Sequence, residues 1–162
     1  MSSSSVFLWL GVAVLLFWAV GAYNRLVRLR SQGLAAFALL EDLVNQFVPM
    51  ASPDVSDSAA LVAAADQCRV ALKMCRSQPL NGATTGALTM AYETMCLSWS
   101  RQRQLTPGRP EVSPLPWEQL VVQTELARAE FNRAVARYNA AVTQFPAVLL
   151  ARLFGFRPAQ PM

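Results

Sequence analysis

The sequence predicts an all-α fold: one N-terminal transmembrane helix that continues into an antiparallel bundle of four long helices. Three observations predict it. Val6 to Ala22 is an unbroken uncharged run. Four later stretches carry apolar residues at alternating steps of four and three. Period-two alternation is nowhere sustained, so no sheet is expected.

The 17 residues from Val6 to Ala22 are apolar apart from two glycines. As a helix they cover about 25 Å, enough for a short membrane span. Trp9 and Trp18 lie within the run and Tyr23 follows it, as at a membrane interface. A cleaved signal peptide would place basic residues before the run, and Met1 to Ser5 holds none. The basic residues Arg25, Arg28 and Arg30 follow instead. The positive-inside rule then puts Met1 outside and the rest of the chain in the cytoplasm, with these arginines facing anionic headgroups.

Nothing interrupts the helix between the span and Phe47. Leu29, Gly33, Ala36, Leu40, Leu43 and Phe47 form its stripe, so span and first bundle helix are expected to be one rod. Pro49 and Pro53 are expected to end it. Asp54, Ser56 and Asp57 offer N-caps for a second helix, whose stripe is Leu61, Ala65, Cys68, Leu72 and Cys75. Pro79 and Asn81-Gly82 mark a turn. A third helix is predicted from about Thr85 to Gln104, with Leu88, Tyr92, Met95 and Trp99 on one face.

Thr106 to Pro116 holds four of the ten prolines and reads as a loop. The fourth helix follows, with Leu120, Thr124, Ala127, Phe131, Ala134, Tyr138, Ala141 and Phe145 on its stripe. Glu125 with Arg128, and Glu130 with Arg133, are i,i+3 pairs on its flanks. Pro146 stops it, and Val148 to Phe156 forms an apolar segment broken by Arg152 and Gly155. That segment is expected either to fold back on the bundle or to lie on the membrane. The organisation is therefore an anchor over 1–23, a bundle over 24–146, and an apolar segment with a tail over 147–162.

The chemistry is sparse. At 162 residues there is room for one ordinary domain. With no histidine, the commonest general base and metal ligand are both missing. Cys68, Cys75 and Cys96 lack a basic partner, and their spacing fits neither a zinc site nor, within one helix, a disulfide. They read as small apolar core residues. Glu41 and Asp42 are adjacent and diverge on a helix. Gly82 and Gly86 have no strand before them and no lysine after, as a phosphate loop would need. A net charge of +4, read as spread along the chain, does not indicate nucleic acid. No enzyme activity, cofactor or metal is expected. Tyr138 is expected to be buried with its hydroxyl bonded, and Asn139 to cap something or face a partner. Tyr138, Asn139, Phe154 and Phe156 are together the candidate interaction surface.

Three stretches carry a resemblance. They are Tyr23 to Arg30 after the span, Gln119-Leu120 with Glu125 to Ala136 and Tyr138 to Val142, and Phe145-Pro146 through Leu149 to Ala151 and Phe154-Gly155-Phe156. Together they resemble the LemA family. The family's basic segment after the first helix is replaced here by Leu40-Glu41-Asp42-Leu43-Val44-Asn45-Gln46, so the chain looks like a divergent or shortened member. The resemblance implies a bacterial inner-membrane protein, a cytoplasmic bundle of antiparallel helices, and no assigned catalytic residues. It also implies a link to envelope homeostasis and to a membrane protease system encoded nearby. The expected role is a scaffold or adaptor touching the lipid bilayer and an unidentified protein. The alternative is a self-assembling structural membrane protein, a homo-oligomer.

Overall fold

The computed structural model describes residues 3–51, 58–105 and 114–162. Among them are five helices and no strand: α1 (Ser3–Met50), α2 (Ala59–Ser77), α3 (Gly82–Leu105), α4 (Pro114–Thr143) and α5 (Ala147–Leu153). Span and first bundle helix are indeed one rod of 48 residues, about 72 Å long. None of its apolar N-terminal window is buried, and by length and composition it can cross a membrane.

Beyond the span, α1 turns a stripe inward. Leu26, Gly33, Phe37, Leu40, Leu43, Val44 and Phe47 are buried. Leu29 and Ala36 of the expected series are only half-buried, because the buried face follows Gly33, Phe37, Leu40, Val44 and Phe47, rotated towards the side where α4 packs. α4 runs antiparallel to α1 along most of its length, with Phe37 edge-on to Phe131 and Phe47 edge-on to Trp117. α2 and α3 form the second antiparallel pair. All five stripe residues expected on α2 are buried, as are the four expected on α3. An ion pair from Arg76 to Glu41 at 2.7 Å ties α2 to α1.

Several boundaries differ from expectation. α1 passes through Pro49, and the Ala51 amide still bonds the Phe47 carbonyl at 3.1 Å. Pro49 stands in the last turn, where one missing donor does not unwind what precedes it. Pro53, Asp54, Ser56 and Asp57 lie outside the described residues; the cap of α2 is Ser58, whose hydroxyl accepts from the Leu61 amide at 3.3 Å. Asn81 caps α3 by accepting from the Ala83 amide at 2.9 Å, so Gly82 opens the helix instead of lying in the turn.

Thr106 to Ser113, most of the predicted loop, lies outside the described residues. Pro114 and Pro116 belong to the first turn of α4, where a missing N–H leaves no bond unmade. The helix thereby brings Trp117 into the core. Trp117 stacks on Trp99 at 4.2 Å between centroids and meets Phe47, which in turn meets Tyr92. This aromatic cluster closes the end of the bundle far from the span. α4 stops at Thr143, so Phe145 leaves the stripe and is 76% exposed.

Two polar atoms in the cluster, the Tyr92 hydroxyl and the Trp99 indole nitrogen, are buried without a hydrogen-bond partner. Cys96 and Thr124 lie beside the Tyr92 hydroxyl without a hydrogen bond to it, and the Thr124 hydroxyl donates to the Leu120 carbonyl at 2.8 Å. An unpaired buried hydroxyl costs about 1–3 kcal/mol. Tyr92→Phe keeps the ring contacts and removes that cost. It should raise stability by about 1 kcal/mol, read as a higher Tm of the detergent-solubilised protein. A lower Tm would mean that the hydroxyl has a partner.

Candidate interaction surface

The α2–α3 turn at Gln78–Asn81 reaches only the level of Arg30 and Leu34 on α1 and Tyr138 on α4. Nearer the membrane, the α1–α4 pair needs another cover, and the chain after α4 supplies it. A cis Phe145–Pro146 bond leads into α5, which packs on both α1 and α4. Arg152 sits within α5 and does not break it.

The break comes at Gly155, with φ +71°, a conformation that side chains other than glycine's enter at a cost of about 1–2 kcal/mol. Its amide bonds the Arg152 carbonyl at 3.4 Å and the Phe156 amide bonds the Ala151 carbonyl at 2.8 Å. This is a Schellman termination, which reverses the chain. The reversal sets Phe154 and Phe156 against Tyr23, at 4.9 and 5.9 Å between ring centroids.

Residues 157–162 then run back along α4, gripped by their main chain. The Tyr138 hydroxyl donates to the Arg157 carbonyl at 2.9 Å. The Asn139 amide donates to the Ala159 carbonyl at 2.7 Å and accepts from the Ala159 N–H at 2.8 Å. Asn132 makes the same pair of bonds with Met162, both at 2.8 Å. Asn132 and Asn139 are two helical turns apart, about 10.5 Å. Ala159 and Met162 are three extended residues apart, about 10 Å. The spacings match, so one helix face reads one extended segment. Gln160 lies so close to Gly82 that a Cβ there would come within 2.9 Å of the Gln160 Cβ.

Of the four expected surface residues, Tyr138 and Asn139 are thus engaged within the chain, Tyr138 as a buried ring with a bonded hydroxyl. Phe156 is half-buried on Tyr23, and Phe154 stays 56% exposed. Asn132 belongs to the same site and was missed. Its seven-residue separation from Asn139 on one helix was the available signal.

The thiols are free. Burial, with Cys96 adding to it, pushes Cys68 up to about 12. Cys75 is pushed up to about 11 by burial, with Glu41 adding to it and the nearby Thr84 hydroxyl opposing. Burial also raises Cys96, with Glu125 and Glu93 adding to it. All three therefore stay protonated near neutrality, as core residues do. Among the described residues no group of His, Cys, Asp or Glu is placed to hold a metal ion.

Charge is partitioned, in contrast to the expected spread along the chain. All ten carboxylates fall between Glu41 and Glu130, while residues 1–40 and 131–162 contain arginines alone. Glu130 pairs with Arg133 at 3.0 Å, and Arg128 bridges Glu125 at 3.6 Å and Glu93 at 3.9 Å. The acids are thus concentrated away from the membrane-proximal end.

Fold and surface together define a membrane-anchored helical bundle closed by its own C-terminal segment. The family model described as the LemA family matches residues 118–162, which hold α4, α5 and the segment that α4 grips. Two of the three stretches that carried the resemblance fall in that match; the junction at Tyr23 to Arg30 lies outside it. No curated protein and no solved structure matches the chain.

Asn139→Ala deletes two hydrogen bonds and strands the amide of Ala159, which is 4% exposed. The expected cost is about 2 kcal/mol, a fall in Tm of roughly 5 °C. An unchanged Tm would mean that residues 157–162 are not held by α4.

Proposed function

We propose that this chain is a bacterial inner-membrane scaffold or adaptor without enzymatic activity, single-pass, with its N-terminus outside and its bundle in the cytoplasm. The observation that carries the reading is the continuity of α1. A helix unbroken from an unburied apolar window into a packed core holds the bundle as a stiff projection from the bilayer. The match to the LemA family and the protonated, buried thiols support it. The arginines that follow the span support the orientation. The surface farthest from the lipid is the part offered to a protein partner, for which a membrane protease system is the first candidate. It carries exposed apolar side chains on both outer helices: Leu97 on α3, and Val122 and Leu126 on α4.

Two measurements test the reading. A photo-crosslinking amino acid at Leu97 or Val122, in the full chain in native membranes, should give a discrete adduct with a second protein. Adducts of the chain with itself alone would replace the adaptor with the self-assembling structural element. For orientation, a Gly108→Cys variant should resist an impermeant maleimide in intact cells and react after permeabilisation. Labelling of intact cells would reverse the topology and move the search for partners to the other side of the membrane.

A further inference from the structure

We infer that the α4–α5 corner and α5 form a second membrane contact, an apolar collar seated in the lipid interface beside the span. The inference rests on the membrane-anchored reading and adds to it a lipid-binding surface.

Depth is the first argument. Phe145, Pro146 and Ala147 share one groove with α1 residues from Val14, Phe17 and Trp18 to Arg25 and Leu26. Phe17 lies five residues inside the end of the apolar run, about 7 Å along the helix from Ala22. The corner is therefore level with the span's last turns, with Arg25 at the rim of the same groove. An interfacial helix sits at a comparable depth, about 5–10 Å into the headgroup and acyl boundary.

The second argument is what the collar shows to its surroundings. Phe145 is 76% exposed, Leu149 59%, Leu153 75% and Phe154 56%. Leu149 and Leu153 are one turn apart and lie on the same outer face of α5, whose inner face buries Ala151. Four large apolar side chains exposed within ten residues form a patch that a water-facing surface rarely carries. Here the patch adjoins a helix segment that is itself unburied and apolar.

Charge is the third. Arg25, Arg28, Arg152 and Arg157 are exposed around this end, and no Asp or Glu occurs in residues 1–40 or 131–162. An apolar face rimmed only by arginine fits acyl chains under anionic phosphates. A protein partner would have to supply both an apolar socket and the acids; the bilayer supplies both at that depth. The bundle is then held at two points, by α1 and by α5, which fixes its orientation as well as its distance from the membrane.

The test uses the full chain in nanodiscs of phosphatidylcholine and phosphatidylglycerol. A Cys96→Ser background leaves only the buried Cys68 and Cys75. An environment-sensitive fluorophore is attached in turn through Leu149→Cys, Leu153→Cys, Leu15→Cys in the span and Leu97→Cys on the bundle. Nitroxide-labelled lipid should quench the probes at 149, 153 and 15. Aqueous iodide should quench 149 and 153 about fivefold less than 97, as expected for side chains below the headgroups. If 149 and 153 are as open to iodide as 97 while 15 stays in lipid, the collar is refuted and the anchor stands. If 15 is also open to iodide, the anchor reading itself fails. Probes at 149 and 153 shielded from both quenchers would mean that protein, and not lipid, covers the face, which also refutes the collar.

Discussion

Everything in this molecule hangs on the continuity of α1. A helix that leaves a bilayer and stops would give a flexible tether, whose bundle could sample any tilt. Here the backbone ladder that runs through the span continues unbroken into the bundle as far as Pro49 in the last turn. The inward stripe from Leu26 to Phe47 then makes the outer half of the same helix a wall of the core. Withdrawing α1 from the bundle would expose Phe37, Leu40 and Phe47, each 3% exposed or less. Burial of that apolar surface is what holds anchor and domain as one body.

A second constraint follows from unequal lengths. α1 and α4 both extend further towards the membrane than the α2–α3 pair, so part of the groove between them needs a cover. Residues 154–162 provide it without regular structure, which poses the usual difficulty of buried backbone: its donors and acceptors must still be paired. An asparagine amide carries one donor group and one acceptor, which suits it to pairing with both main-chain groups of an extended residue. Two of them at a seven-residue interval grip two residues at a three-residue interval. Glycine at 155 turns the chain to meet them, and glycine at 82 leaves space for Gln160.

These parts were unequally legible in the sequence. The stripes of α2 and α3 stood out because each helix packs one face inward, of which four-three spacing marks the centre; on α2 that face also takes in Ala64 and Ala71. α4 showed its stripe as well, but its first turn was hidden: prolines at 114 and 116 signal a loop by composition and are tolerated in a first helical turn because of geometry. Trp117, central to the far aromatic cluster, was lost with them. Phe145 was assigned to the core because it continues the spacing, but the helix ends two residues earlier, and periodicity carries no information past a terminus. The asparagine pair was only half visible. Its function depends on residues 20 and 30 positions away in the chain, a separation that no local pattern reports.

The distribution of charge is the remaining link between sequence and placement. A net charge of +4 in 162 residues is unremarkable as a sum, and a sum discards position. Folding the chain into antiparallel helices restores it. The N-terminal third of the bundle rod and the C-terminal third of the chain's helices meet at the same end, so two acid-free stretches far apart in sequence become one basic zone. Glu93, Glu118 and Glu125 lie along the other part of the bundle, where Arg103 and Arg128 pair with them. Such surface pairs add little stability individually. The stretches that hold arginines and no acidic side chain, 1–40 and 131–162, meet at the end of the bundle next to the apolar run. Antiparallel packing thus turns an even-looking composition into a polarised body, and the polarity agrees with the direction in which the span would insert.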